Sequence, residues 1–566
     1  MRIRTAVTWA GAGLFCATVS SYAQVVPQSA QSGKIEQRFV RPAPPLAKLG
    51  VPQGLESTVP PDQAAQTFLR VKNIHFIGNT VFSESELEKL AASVKGKRVS
   101  LKDVFAVAAA VTTKYGQAGY TLSRATVPPQ ELDPNGASIT IGVVEGYIDQ
   151  VEWPKEVENY RDLFSGYSAK ITAERPIRVQ TIERYLLLAN DLPGLTFTSQ
   201  LKPSAKNAGA STLVVSLQKE KHFSGSIGFD NRGSEASGPF EGNAQLELAN
   251  IFHAHDDFTF GYTIAGPQLN SLTPELHYVN WGYKQVVNSE GLKFGFNGNA
   301  SWGAPGTDTL LLLDYRTNSL NLSADVSYPF IRTRDTNLTG TLAFDWKNSE
   351  SSIFGVDNSL DRLRIVRGEL AFDHADTARG VNQIVFSVSQ GLRGLGSTEN
   401  GNPLASRSNG RVDFTKANLR VSRNQDLGHD FSVLVQGEAQ LSATPLLSSQ
   451  ECGYGGAGIG RGFDSSILSG EHCLNGLIEL RYDAQAERFG LQKLQPYIFA
   501  DYGSVWNMDV PLGTSAYDQG ASVGGGIRAQ WKNFSADLQG TYQALKPTSV
   551  STGSTFGIFF DISARF

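Results

Sequence analysis

From His222 to Phe566, more than half of the 566 residues, helical periodicity is absent and apolar residues recur at every second position. Phe431, Val433, Val435, Ala439 and Leu441 interleave with Ser432, Gln436, Glu438 and Gln440; Ala244, Leu246 and Leu248 interleave with Asn243, Gln245 and Glu247. The chain ends with Phe556, Ile558, Phe560, Ile562, Ala564 and Phe566 on one face. Residues i and i+2 of a strand share a face, so each segment has one apolar and one largely polar side. No stretch approaches the ~18 consecutive apolar residues of a spanning helix. A soluble sandwich alternates too. The great length, the terminal aromatic on the apolar face and an export signal favour a barrel in a membrane. At roughly 20–22 residues per strand with its turns and loops, the region predicts about 16 antiparallel strands. Only closure satisfies the backbone groups of so many strands in lipid.

The export signal is at the N-terminus. Arg2 and Arg4 precede an uncharged run from Ala6 to Val19, which ends in Ser21-Tyr22-Ala23. That layout predicts a signal peptide over 1–23. Cys16 lies within it, so Cys452 and Cys473 alone remain for one disulfide in an oxidising compartment. Residues 24–66 carry Pro42, Pro44, Pro45, Pro52, Pro60 and Pro61 and read as a linker. Within it, Ser32 to Phe39 can form two polar helical turns, too few to stand alone.

Between linker and barrel the same small module occurs twice, over 67–146 and 147–221. Phe68 to Ile77 predicts a strand; a helix follows the N-cap Ser83, another runs from Val104 to Tyr115, and strands span Tyr120–Val127 and 138–145. The second copy reads as a strand from Tyr147 to Trp153, helices near 160–169 and 179–190, and strands at Leu195–Lys202 and 212–219.

Two tandem modules ahead of an exported barrel resemble the TpsB transporters of two-partner secretion, the ShlB, FhaC and HecB group. Phe76-Ile77-Gly78-Asn79-Thr80 and Val144-Glu145-Gly146-Tyr147-Ile148 resemble segments of polypeptide-transport-associated (POTRA) domains, and Gly228-Phe229-Asp230-Asn231-Arg232-Gly233-Ser234 is similar to the family's barrel opening. Ser327-Tyr328-Pro329-Phe330-Ile331-Arg332-Thr333-Arg334 matches further on. Gly460-Arg461-Gly462-Phe463 resembles the Val-Arg-Gly-Tyr tip of a long extracellular loop, near 450–475 here, that folds into the lumen; Phe499-Ala500-Asp501 matches the facing Phe-x-Asp of the wall. The resemblance implies α+β periplasmic POTRA modules followed by an all-β transmembrane barrel.

It further implies a loop-to-wall contact through Arg461, Gly462, Phe463 and Asp501, with Asp501 as the acidic partner of the Arg461 guanidinium. A client would add to POTRA edge strands at Tyr120, Leu122, Leu195 and Phe197. A Cys452–Cys473 disulfide would staple the ends of the loop, the segment Ser32–Arg41 would plug the lumen, and Phe566 would be the C-terminal assembly signal. The partners implied are a secreted TpsA-type exoprotein, outer-membrane lipid and the barrel assembly machinery. An assembly factor of the BamA type is the alternative; it carries more POTRA modules, and a passive porin needs none.

The net charge of −4, from 50 Lys+Arg and 54 Asp+Glu, excludes holding nucleic acid by bulk charge. No Gly-x-Ser-x-Gly or His-Glu-x-x-His motif occurs. No cofactor is expected. His253-Ala254-His255-Asp256-Asp257 is the one metal-like cluster and reads first as a turn. Arg332-Thr333-Arg334 reads as a polar turn or as lumen lining.

Overall fold

The computed structural model describes residues 26–39 and 62–566, apart from residues 134, 208, 235, 253, 267–272, 511–514 and 549–553. The expected signal peptide and most of the linker lie outside the described residues. The N-terminal segment is a run of short turns ending in helix α1 (Ile35–Phe39).

The first module is a sheet of β1 (Phe68–Ile77), β2 (Arg98–Ser100), β3 (Arg124–Thr126) and β4 (Ala137–Val144), in the order β2-β1-β4-β3. Helices α2 (Glu84–Glu88) and α3 (Leu101–Gln117) cover one face. Ser100 and Asp103 form a reciprocal capping box that starts α3. Val104, Val107, Ala108, Val111 and Tyr115, at i, i+3, i+4, i+7 and i+11, bury one stripe against Val71, Ile74, Ile139 and Ile141. The Gly78-Asn79-Thr80 turn meets the end of β4. Glu145 there accepts from the N–H groups of Thr80 (2.6 Å) and Val81 (3.0 Å) and from the Tyr115 hydroxyl (2.7 Å). Gly78, at φ +81°, lies where a Cβ would stand 2.4 Å from the Val143 carbonyl oxygen.

The second module consists of β5 (Tyr147–Glu152), α4 (Arg161–Ala173), α5 (Val179–Asn190), β6 (Leu195–Pro203) and β7 (Ala210–Glu220), with sheet order β5-β7-β6. The strand expected over Tyr120–Val127 shortens to β3. Tyr120 to Leu122 instead turn towards the second module, where Leu122 is buried with Ile148, Ile177 and Ile182. Val179 N–H donates to the Gly119 carbonyl (2.9 Å) and Ile177 N–H to that of Gly146 (3.0 Å), so the junction is an ordered seam.

The remaining chain closes a barrel of 16 antiparallel strands. Phe223–Asp230 and Phe556–Arg565 meet to complete it. Alternation is read out as drawn: Leu342, Ile498, Leu538 and Ile558 face outward and are exposed to the membrane, while Asp501, Ser522 and Gln539 face inward and are buried. Aromatic rings ring both edges of this belt, Trp302, Trp346 and Trp506 at one and Phe223, Tyr482, Trp531 and Phe566 at the other. No described helix is long and apolar enough to cross a membrane. A short α-helix, Asp308–Leu312, lies in an extracellular loop between strands Lys293–Gly303 and Arg316–Arg332, and single 3-10 turns occur at Ser448–Gln450 and Ala486–Phe489.

Candidate functional site

The lumen is filled from two directions. Between strands Phe431–Ser442 and His472–Tyr482 the chain runs inward as a long loop, stiffened by pairing of Cys452–Tyr454 with Leu468–Gly470. Cys452 and Cys473 are joined by a disulfide across a sequence separation of 21, with Cα atoms 6.2 Å apart. The loop tip carries Gly460 to Phe463. Arg461 N–H donates to Asp501 Oδ2 (3.0 Å), and Gly462 N–H to Ser522 Oγ (3.0 Å). Gln543 Nε2 donates to the Gly462 carbonyl (2.8 Å). A Cβ on Gly462 would stand 2.7 Å from that of Ser522, so only glycine lets the backbone reach the wall here. Phe463 is buried beside Tyr454, ring centroids 5.7 Å apart, with no hydroxyl to satisfy.

The Arg461 guanidinium does not pair with Asp501, which corrects the expected partner. It crosses the Phe499 ring (4.8 Å) and pairs with Glu479, whose side chain is fully buried. Arg528 (2.8 Å) and Arg481 (2.5 Å) converge on the same carboxylate. Asp501 is taken up otherwise: besides the Arg461 amide it accepts from the Tyr454 hydroxyl (2.7 Å) and Ser522 Oγ (2.7 Å). The reason is register. Glu479 opposes Phe499 and Leu477 opposes Asp501, so the loop backbone lies over Asp501 while the long side chain reaches one inward position further along. Glu479 was legible as an acid on the inward face between Ile478 and Leu480; nothing local revealed that three arginines meet there.

The second occupant is the N-terminal segment. Lys34 donates to Ser469 Oγ (2.6 Å) and to the Glu451 carbonyl (3.1 Å), with Glu451 Oε2 at 3.6 Å. Arg38 pairs with Glu241 and donates to Ser237 Oγ (2.7 Å), Glu36 pairs with Lys347 (2.6 Å), and Phe39 stacks on Tyr278 (4.3 Å). Val26 and Ala30 pack with Ala236, Leu310 and Tyr315. Glu451 adjoins the disulfide and also receives Arg407 (2.6 Å), so segment and loop share one buried carboxylate.

A family model, "Haemolysin secretion/activation protein ShlB/FhaC/HecB", matches residues 209–529, and a "POTRA domain, ShlB-type" model matches 69–146. The chain belongs to the ShlB/FhaC/HecB family. The heme/hemopexin transporter protein HuxB of Haemophilus influenzae (strain 86-028NP) is 23% identical over 429 residues, 74% of this chain and 72% of HuxB. The outer membrane transporter CdiB of Dickeya dadantii (strain 3937) is 25% identical over 511 residues, 87% of this chain and 86% of that one. Among solved structures, CdiB from Escherichia coli superposes with a TM-score of 0.71 at 16% identity over 99% of this chain and all of that one. CdiB from Acinetobacter baumannii gives 0.60 at 15%, over the whole of both chains. As a ShlB/FhaC/HecB protein the chain is an outer-membrane transporter of two-partner secretion, with its POTRA domains in the periplasm.

In this TpsB protein the second α/β module is docked on the barrel. Arg332, buried, forms a two-pronged pair with Asp191 (2.8 and 2.7 Å). Arg184 donates to the Pro329 carbonyl (3.1 Å), and Lys170 pairs with Glu290 (2.7 Å). The Arg332-Thr333-Arg334 stretch thus runs from a strand end into a polar turn, and its first arginine holds the second module.

Of the four residues expected on the POTRA edges, three have side chains that no client can touch. Leu122 lies in the domain junction, and Leu195 and Phe197 are in the second domain's core. Tyr120 is half-buried in the turn before β3. The edges themselves are partly closed: Ala125 N–H is taken by Thr112 Oγ1 (2.9 Å) and Phe197 N–H by Asn190 Oδ1 (2.7 Å). The His255-Asp256 cluster is a turn, in which Asp256 accepts from the backbone N–H groups of Ile251, Phe252 and Ala254 (3.1–3.2 Å). No group of three or more metal-ligating side chains occurs among the described residues.

Proposed function

We propose that the exported partner is received in extended form by the open part of the β6 edge, from Ser199 to Leu201, and passed into a lumen that α1 and the long loop close at rest. The observation that carries this is the direction of the Phe197 N–H. It points away from β7, so by alternation the N–H and C=O groups of Ser199 and Leu201 do too. No described strand lies on that side. Pro203 ends the exposed run without a donor, as edge strands often do. The β3 edge is three residues long with its central amide already capped, which favours β6 as the receiving edge. About four main-chain hydrogen bonds at roughly 0.5–1.5 kcal/mol each hold a client only transiently, as a passing chain requires.

Recognition through main-chain groups reads extended β-prone polypeptide, the form in which a TpsA-type exoprotein crosses the periplasm. The exposed aromatic end at Phe566 is the signal we assign to the barrel assembly machinery during insertion. Ser199→Pro removes an edge amide and obstructs an added strand while leaving the domain's core intact. It should abolish or strongly reduce secretion of the partner with the transporter still inserted; undiminished secretion would remove β6 from the path.

A further inference from the structure

The strands that close the barrel are paired over only part of their length. Phe223–Asp230 and Phe556–Arg565 share five backbone register pairs, from Ser226–Arg565 to Asp230–Asp561, against nine between Phe534–Leu545 and Phe556–Arg565. Asn231 N–H still donates to the Phe560 carbonyl (3.3 Å); beyond it the first strand leaves the seam, and the extracellular half of the last strand faces no described strand on that side. A single side chain stands in its place. Asn231 Nδ2 donates to the Ile558 carbonyl (2.9 Å), and Asn231 Oδ1 accepts from Phe560 N–H (2.7 Å). One residue of a neighbouring strand makes two such bonds with its own N–H and C=O. Two residues further, Phe556 is occupied by its own neighbour, since Ser554 Oγ donates to the Phe556 carbonyl (2.8 Å) and accepts from its N–H (3.2 Å).

The next residue faces the lumen. Arg232 lies over the ring of Phe559 (4.0 Å), donates to the Arg461 carbonyl at the loop tip (3.1 Å) and bonds Gln539 Oε1. Adjacent residues therefore hold the seam and the loop tip.

We infer that Asn231 is a positioning residue whose carboxamide replaces a missing strand, closing the extracellular half of the barrel seam and, through Arg232, tying that closure to the seated lumen loop. An unpaired edge bordering a channel for extended polypeptide is a template for strand addition. The carboxamide and Ser554 deny that edge to the passing chain. Only a carboxamide fits: alanine removes both bonds, and an aspartate keeps the acceptor for Phe560 but cannot donate to Ile558.

The test is hydrogen exchange on the full-length protein in lipid nanodiscs, comparing wild type, Asn231→Ala and the isosteric Asn231→Asp. Exchange over 556–560 should rise at least tenfold in Asn231→Ala and less in Asn231→Asp. Residues 561–566 should stay unchanged, and 455–463 at the loop tip should accelerate with 556–560. Unchanged exchange over 556–560, or an equal rise over 561–566, overturns the assignment. If Asn231→Ala does not insert, the Asn231→Asp comparison decides alone: a Phe560 amide as protected as in wild type beside a shifted amide I band of the 13C-labelled Ile558 carbonyl supports the rung, and both readings identical to wild type reject it.

Discussion

Arg461 meets two acids in two different ways, and a double-mutant cycle separates them. Arg461→Met removes the guanidinium from Glu479 but leaves the backbone N–H on Asp501. Glu479 keeps Arg528 and Arg481, so the loss is that of one buried charge-assisted contact, about 1.5–3 kcal/mol, rather than the ~3–5 kcal/mol of an orphaned buried ion. That is about ten- to hundredfold in the ratio of seated to unseated loop. Glu479→Gln and Arg461→Met remove the same contact, so their coupling energy should be about 1.5–3 kcal/mol. Asp501→Asn weakens bonds to Tyr454, Ser522 and the loop backbone that Arg461→Met leaves in place. Those two should add to within about 0.5 kcal/mol. Exchange of the loop amides over 455–466 in lipid gives the free energies directly. A stronger coupling of Arg461 to Asp501 than to Glu479 would refute the assignment of partners.

Removing residues 24–41 should raise channel conductance in planar bilayers, because Lys34, Glu36 and Arg38 anchor the occupant of the lumen; unchanged conductance would contradict the plug. Cys452→Ser should loosen the loop by roughly 3 kcal/mol in the chain-entropy model, seen as faster exchange over 448–472, and mass spectrometry of unreduced, alkylated protein should find no label on either cysteine. Asp191→Ala should loosen the second module on the barrel, which Arg184 and Lys170 still hold, read as lower protection at the end of α5 and a wider spread of module-to-barrel distances by spin labels. At Glu145 burial raises the carboxyl pKa, but hydrogen bonds from Thr80, Tyr115 and Val81 outweigh it and hold the pKa below the usual carboxylate value. The stability this gives is present above the unfolded value of about 4.5 and is lost as pH falls below it, so the first POTRA domain should melt earlier in acid. Glu145→Gln should flatten that dependence.

What the sequence made legible was whatever a local period encodes. Alternation along Phe556 to Phe566 separates lipid face from lumen face, and the 104, 107, 108, 111, 115 spacing marks the buried stripe of α3. The N-cap at Ser83 marks a helix start, whereas the Ser100–Asp103 box that starts α3 three residues before the expected Val104 was missed. Partners across the barrel were not legible, because they depend on strand register summed over several turns. Glu479 faces Arg461 only because it opposes Phe499, and Arg528 joins them from a strand whose Gln495 pairing is set elsewhere. The misread strand at Tyr120 has another cause. An apolar alternation that looks like an edge strand serves here to bury Leu122 between two domains, and tertiary burial overrides the local pattern. Lys34 and Glu451 lie more than four hundred residues apart, and no spacing rule connects them.

An exported polypeptide should pass through this lumen. Photo-crosslinking decides it most directly, with a benzophenone amino acid placed at Gln436, which faces inward, or at its neighbour Val435, which faces lipid. In cells secreting the partner stalled by a folded C-terminal fusion, the protein should crosslink to the partner from position 436 and not from 435. Crosslinks from 435 alone, or from neither position while the partner is stalled in transit, would contradict passage through the barrel.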